Sequence, residues 1–256
     1  MKTEMYDDKN HLGTFNEENL SEYLLQAQWA EMVELKKALC DIHARTQSKL
    51  DILDIGIGNG RIPKHLSGIE EIWDDVHSYE GIDIAQNCVD LSTRVARENG
   101  IEDKVRIRLL NATDIDKLDG EYEVILSTWF TAGNFYPEEF SFSSFRQGYD
   151  LSSNRKFEMI FRKAYDKLRV GGEIIIGSIY LDNGMTRLRQ EDAYKHFGWT
   201  IITDERDSFT ASKEGWWSQR FSEEQIYNYL RFVPRENISL IPLDTYDFAM
   251  MIRIRK

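Results

Sequence analysis

The sequence predicts an α/β protein wound around a mostly parallel sheet. Three observations carry that expectation. From Leu50 onward short apolar runs alternate with longer stretches of helical periodicity, a glycine-rich turn follows the first run, and an aspartate ends the second. At 256 residues, 41% hydrophobic and 30% charged, the chain is long and apolar enough to bury one sizeable core, so a single domain is expected.

Before the sheet, Leu20, Tyr23, Leu24, Ala27, Ala30, Val33, Leu35 and Leu39 recur at helical spacing, which predicts one or two helices between Glu17 and Ile42. The first strand is Leu50 to Ile55 and the second Ser78 to Asp83. Val105 to Leu110 is the third, Tyr122 to Ser127 the fourth and Glu173 to Ser178 the fifth. Helices fit between them at Arg61 to Leu66, Ala85 to Asn99 and Asn154 to Leu168, the last stopped by Gly171-Gly172. The Ser-rich stretch from Ser141 to Ser153 reads as a large loop.

Beyond the fifth strand the alternation breaks. Trp199 to Thr203 and Gly215 to Phe221 suggest an antiparallel hairpin turning near Ser212. Ser222-Glu223-Glu224-Gln225 has the form of a capping box, opening a helix that runs to about Phe232. Asn237 to Pro242 and Phe248 to Arg255 close the chain as two strands.

The net charge of -12 argues against an open surface for a phosphate backbone, so no nucleic-acid partner is expected. Cys40 and Cys88 are too few for a disulfide framework, and neither they nor His43, His65, His77 and His196 show metal-ligand spacing, so no metal is expected. The first residues lack the apolar core of a signal peptide and no run is long enough to span a bilayer, which points to a reduced, cytoplasmic protein without a membrane partner.

The chemistry concentrates at Asp54-x-Gly56-x-Gly58-x-Gly60, between an apolar strand and the helix that Arg61 opens. Glycine lets the backbone approach a ligand closely, and in doubly wound sheets the turn after strand one lies where nucleotides bind. A dinucleotide fingerprint, Gly-x-Gly-x-x-Gly, would need glycine at Arg61 when counted from Gly56, so the spacing departs from it. Asp83, 23 residues past Gly60, can accept hydrogen bonds from both ribose hydroxyls of an adenosine, and Ile84 beside it can pack on the base. After strand three, Asn111-Ala112-Thr113-Asp114 offers a carboxylate and a backbone amide for the adenine edge. No Gly-x-Ser-x-Gly elbow or phosphate-binding Gly-x-x-x-x-Gly-Lys run is present.

Taken in order with Tyr122 to Ser127 and Leu168-Arg169-Val170-Gly171-Gly172, these motifs resemble the class I S-adenosylmethionine-dependent methyltransferase superfamily over about Leu50 to Ser178. The resemblance implies a Rossmann-like, seven-stranded, doubly wound sheet ending in an antiparallel C-terminal hairpin, with N-terminal helices and a lid-like insertion. It implies a helical cap over 1–48, a cofactor-binding core over 49–180, and a substrate-side insertion with the hairpin over 181–256. By the same resemblance Asp54, Gly56, Gly58 and Gly60 hold the methionine end of S-adenosylmethionine, Asp83 and Ile84 the adenosine, and Ala112, Thr113 and Asp114 the adenine, with Ser127 nearby. Arg61 either pairs with the methionine carboxylate or is a solvated helix-start residue.

The segment after strand four is where such enzymes meet their acceptors, so Trp129, Phe130, Asn134, Phe135 and Tyr136 are substrate-binding candidates, together with Trp217. Core packing is the competing role for each ring, and for Trp216. Tyr6, His11 and Tyr23 are candidates to close over the cofactor, and Tyr136, Glu138 and Glu139 are candidate bases by location. A small-molecule acceptor is expected; a protein acceptor, a nicotinamide-dependent oxidoreductase and a non-catalytic adenosyl-binding module are the alternatives.

Overall fold

The computed structural model describes residues 19–243 and 247–256; Tyr6 and His11 lie outside them. Among the described residues one α-helix, α1 (Glu22–Thr46), precedes the sheet. It is followed by β1 (Leu50–Ile55), α2 (Arg61–Ser67), α3 (Glu70–Trp73), β2 (Val76–Asp83), α4 (Gln86–Glu98) and β3 (Val105–Leu109). A 3-10 turn (Ala112–Lys117), β4 (Tyr122–Ser127), a second 3-10 turn (Thr131–Asn134), α5 (Arg155–Lys167) and β5 (Leu168–Leu181) complete the alternating part. Then come α6 (Gly184–His196), β6 (Phe209–Ala211), β7 (Trp217–Phe221), α7 (Glu223–Tyr229), β8 (Ile238–Pro242) and β9 (Ala249–Arg255).

The parallel strands run in the order β3-β2-β1-β4-β5, and β9 lies antiparallel between β5 and β8. Among the described residues the sheet has nine strands, where seven were expected. The two extra ones, β6 and β7, form a hairpin added at the end of β5, where Tyr180 and Leu181 pair with Arg220 and Phe221. β5 is longer than its apolar centre suggested, and the register shift between Ile176 and Ile179 bends it far enough to serve both neighbours.

Strands of the parallel core are buried on both faces, which is why they read as unbroken apolar runs. In β1, Leu50 and Ile52 pack with α1 residues Leu35 and Leu39, while Leu53 and Ile55 face Phe157, Ile160 and Phe161 of α5. The even-numbered face of β1 therefore carries Asp54 toward the α1 side.

Two segments differ from expectation. Trp199 to Thr203 is not the partner of β7: β6 occupies that place, with Ala211 opposite Trp217, and the 199–203 run lies outside it through the Ile201–Ser212 bridge. Trp199 instead stacks on Trp216 at 4.0 Å. Helix α6 carried no apolar stripe because its buried face is Thr186, Gln190 and Tyr194, and Gln190 spends its side chain on Arg220 and Thr210 at 2.8 Å each. Asn183 caps α6, and Ser222 with Gln225 forms the expected capping box at α7. Among the described residues no helix is long and apolar enough to cross a membrane.

Candidate functional site

A cavity of about 630 Å³ opens at the carboxyl ends of β1, β2 and β4, a volume suited to a cofactor-sized ligand. Gly56, Gly58, Arg61, Asp83, Ile84, Ala112, Trp129, Asn134, Phe135, Tyr136 and Trp217 all line it. Eleven residues singled out in the sequence, spread from Gly56 to Trp217, thus share one space.

The turn after β1 is fixed from β2. Gly56 N and Ile57 N donate to Ile82 O at 2.8 and 3.1 Å, and Gly58 N donates to Asp83 Oδ2 at 3.0 Å. Gly56, Gly58 and Gly60 all have positive φ, at 78°, 56° and 75°, the region that side chains disfavour. A Cβ on Gly56 would sit 2.4 Å from Thr131 Cγ2, whereas one on Gly58 would meet nothing closer than 3.9 Å. Gly56 is thus required by the protein's own packing, and Gly58 leaves bare backbone facing the cavity.

Asp83 is 9% exposed at the end of β2. Its Oδ1 accepts from Ala85 N at 2.9 Å and its Oδ2 from Gly58 N, so main-chain amides orient both oxygens at the edge of the cavity. Ile84, Cys88, Leu91, Leu110, Asn111 and Ala112 form the apolar slot beyond it.

Asp54 does not line the cavity; it is buried beneath the turn. Tyr79 Oη donates to its Oδ2 at 2.6 Å, and its Oδ1 has no hydrogen-bond partner. Burial pushes its carboxyl up to about 7 against the opposing pull of the Tyr79 hydrogen bond and Arg61, and the same burial with the Asp54 charge raises the Tyr79 hydroxyl.

Arg61 opens α2, and its Nη2 donates to Glu31 Oε1 of α1 at 2.6 Å while its guanidinium lies 5.4 Å from the Trp129 ring centre. Glu31 is fully buried, and its Oε2 accepts from Trp129 N at 2.9 Å. Trp129 and Phe130 both have positive φ, at 50° and 62°, a strained pair of non-glycine residues held by Glu31 on one side and by Ser178 O, which accepts from Phe130 N at 2.8 Å, on the other. Arg61 is therefore neither solvated nor free.

Several sequence candidates lie elsewhere. Asp114, 38% exposed, pairs with Lys117 at 3.1 Å and stays outside the lining, because the 3-10 turn points it to the surface; Asn111 and Ala112 face the cavity in its place. Thr113 is spent on the turn, its N donating to Asn111 Oδ1 at 3.0 Å. Gly60 packs against Ser92 behind the turn, and Ser127 is buried behind Thr128. Phe130 belongs to the core, stacked on Tyr180 at 3.8 Å, and Tyr23 packs on Phe248 and donates to Arg189 O. Glu138 and Glu139 are exposed and outside the lining, which leaves Tyr136 of the three candidate bases.

The outer half of the cavity is aromatic. Tyr136, Phe142 and Trp217 line it, and Trp217 stacks on Phe209 at 3.8 Å within a cluster that the 137–153 loop completes with Phe140, Phe145 and Tyr149. Lys156 of α5 crosses Tyr136 at 4.8 Å. Sequence reasoning missed Gln28, Phe142 and Lys156 in the lining. Gln28 and Glu31 had a signal: both are polar at buried positions of a helix whose neighbours Leu24, Ala27, Met32 and Leu35 form the core stripe.

The fold, with its parallel strands in the order β3-β2-β1-β4-β5 and β9 antiparallel beside β5, is similar to that of solved S-adenosylmethionine-dependent methyltransferases. Solved structures with that fold superimpose over nearly the whole chain. A methyltransferase of this kind from Clostridium acetobutylicum aligns with a TM-score of 0.57 at 12% identity, over 98% of both chains. Magnesium protoporphyrin IX methyltransferase from Synechocystis with bound S-adenosylhomocysteine gives 0.56 at 10% identity, over 98% of this chain and 94% of that one. The DhpI complex with S-adenosylhomocysteine gives 0.55 at 12%, over 100% and 98%. No protein-family model and no curated protein matches the sequence.

Proposed function

We propose that this protein is an S-adenosylmethionine-dependent methyltransferase acting on a small-molecule acceptor. One observation carries the reading: bare Gly58 backbone and the amide-oriented Asp83 carboxylate face one cavity, which continues without a break into an aromatic chamber. The donor set fits an adenosyl ligand, with Asp83 for the ribose, the slot of Ile84, Leu91, Leu110 and Ala112 for the base, and the 56–61 turn for the amino-acid end. S-adenosylmethionine supplies an electrophilic methyl group when bound.

The chain's own part is placement. Asn134, Phe135, Tyr136 and Trp217 orient the acceptor and exclude water, and alignment alone supplies much of the rate in such a transfer. Of the three candidate bases Tyr136 is the one in the cavity lining, which supports it as proton acceptor where the methyl acceptor arrives protonated. A chamber enclosed by loop and hairpin, on a chain of net charge -12, favours a small acceptor over a nucleic acid.

Calorimetric titration with S-adenosylhomocysteine and with NADH and NADPH tests the cofactor, and transfer of labelled methyl to small phenols, amines and carboxylates tests the acceptor. Selective binding of a dinucleotide overturns the reading. Gly58→Ala should fold, with strain of about 1–2 kcal/mol, yet lose most of its affinity for S-adenosylhomocysteine, since its Cβ meets the ligand and not the protein.

A further inference from the structure

Gln28 sits about two turns into α1, only 4% exposed, and lines the cavity together with Arg61 and Trp129. Its side chain makes no hydrogen bond with another described residue, which leaves the carboxamide open to the cavity. The residue one turn along the same helix face, Glu31, is by contrast fully engaged by Arg61 and Trp129 N. A buried carboxamide facing a cavity, with its donors and acceptor unspent, is a site waiting for a polar ligand group.

We infer that Gln28 grips the amino-acid end of the adenosyl ligand, so that α1 forms one wall of the cofactor site and selects ligands carrying a zwitterion. The inference rests on the proposed cofactor. Three features favour a zwitterion over an ion of one sign. The fixed charges at this end, Arg61 and Glu31, cancel as a 2.6 Å pair. Asp54 beneath the turn is held toward its neutral form by burial. A carboxamide can donate to a carboxylate with its NH2 and accept from an ammonium with its oxygen, which neither a lysine nor a glutamate can do. The adenosine end is served separately by Asp83, at the far side of the 56–61 turn.

Ligand truncation tests this without reference to turnover. Dissociation constants for S-adenosylhomocysteine and for 5′-methylthioadenosine, which lacks the amino-acid end, are measured by calorimetry on the wild type, Gln28→Leu and Gln28→Met. Both variants should weaken S-adenosylhomocysteine roughly tenfold or more and leave 5′-methylthioadenosine within about twofold, the scale of hydrogen bonds to charged groups. Retained binding of the truncated ligand also shows that the variants fold. Unchanged affinity for S-adenosylhomocysteine, or equal losses for both ligands, overturns the role of Gln28 while leaving the cofactor intact. A wild type that binds neither adenosyl compound overturns the cofactor itself, and this inference with it.

Discussion

On the Gly56 to Asp83 side of the cavity, shape is held by main-chain amides of neighbouring strands: Ile82 O takes two of them and Asp83 another two. On the Tyr136 to Trp217 side, shape is held by rings packed on rings, with Tyr136, Phe140 and Phe142 meeting edge to face and Trp217 stacked on Phe209. Hydrogen bonds fail over fractions of an ångström, whereas aromatic clusters accept repacking. The first half should therefore punish single-atom changes, and the second should tolerate re-lining, which suits a fold that keeps one ligand and varies another.

The harshest way to break this contrast is Gly56→Val. Its Cβ would lie 2.4 Å from Thr131 Cγ2 at a φ of 78°, so the turn must move or the fold must open. Stability should drop by more than about 4 kcal/mol, or soluble protein should be lost, as read by urea unfolding. A variant within about 1 kcal/mol of the wild type would show that the turn is as pliable as the aromatic half.

Next comes Glu31→Leu, which leaves the Arg61 guanidinium, 19% exposed, and Trp129 N without their partner. A loss of about 3–5 kcal/mol is expected, the cost of stranding a buried charge. Pairing it with Arg61→Met should recover a large part of that loss, because the stranded charge is then gone. No recovery in the double variant would place the damage in the Trp129–Phe130 turn instead.

The same contrast explains what could be read from the sequence. The alternating strands, the glycine turn, Asp83 and the C-terminal strand pair were legible because sheet geometry fixes their spacing, and spacing survives in a sequence. β7 was read as a hairpin strand but with the wrong partner, and β6 and α6 were not read: β6 is only three residues long, and the buried face of α6, Thr186, Gln190 and Tyr194, carries no apolar period. Asp114 shows the limit of a spacing rule: Asp after a strand serves turns as readily as ligands, and here it pairs with Lys117 outside the cavity lining. Gln28 was passed over because the helix was read for its apolar members, which placed Val33 inside although it is exposed. Lys156 and Phe142 reach the cavity from α5 and the loop before it, far along the chain from the glycine turn, with no spacing rule to connect them to it.

Acidity gives a milder test of the rigid half. Asp54 has a carboxyl near 7 in the folded protein and 3.8 when exposed. Between those values the folded state keeps a proton that the unfolded chain has released, so stability should fall as pH rises, by up to ~1.4 kcal/mol per pH unit, and level off above about 7. Urea unfolding between about pH 4.5 and 8 reads that slope, and Asp54→Asn should flatten it. An identical slope in Asp54→Asn would assign the titration to another group.

The smallest effect belongs to Phe142→Ala on cofactor affinity. Phe142 lies half-buried in the 137–153 loop, with its ring 5.6 Å from Tyr136 and 5.0 Å from Phe140, on the aromatic side of the cavity. Losing those ring contacts should cost about 1–2 kcal/mol of stability while the dissociation constant for S-adenosylhomocysteine shifts by less than about 0.5 kcal/mol, as expected of sites without shared partners. The acceptor chamber then widens, and bulkier phenols should gain relative to smaller ones in methyl transfer. If S-adenosylhomocysteine binding fell tenfold instead, ring packing and the amide-held turn would form one cooperative unit, and the division of the cavity into a strict half and a tolerant half would be wrong.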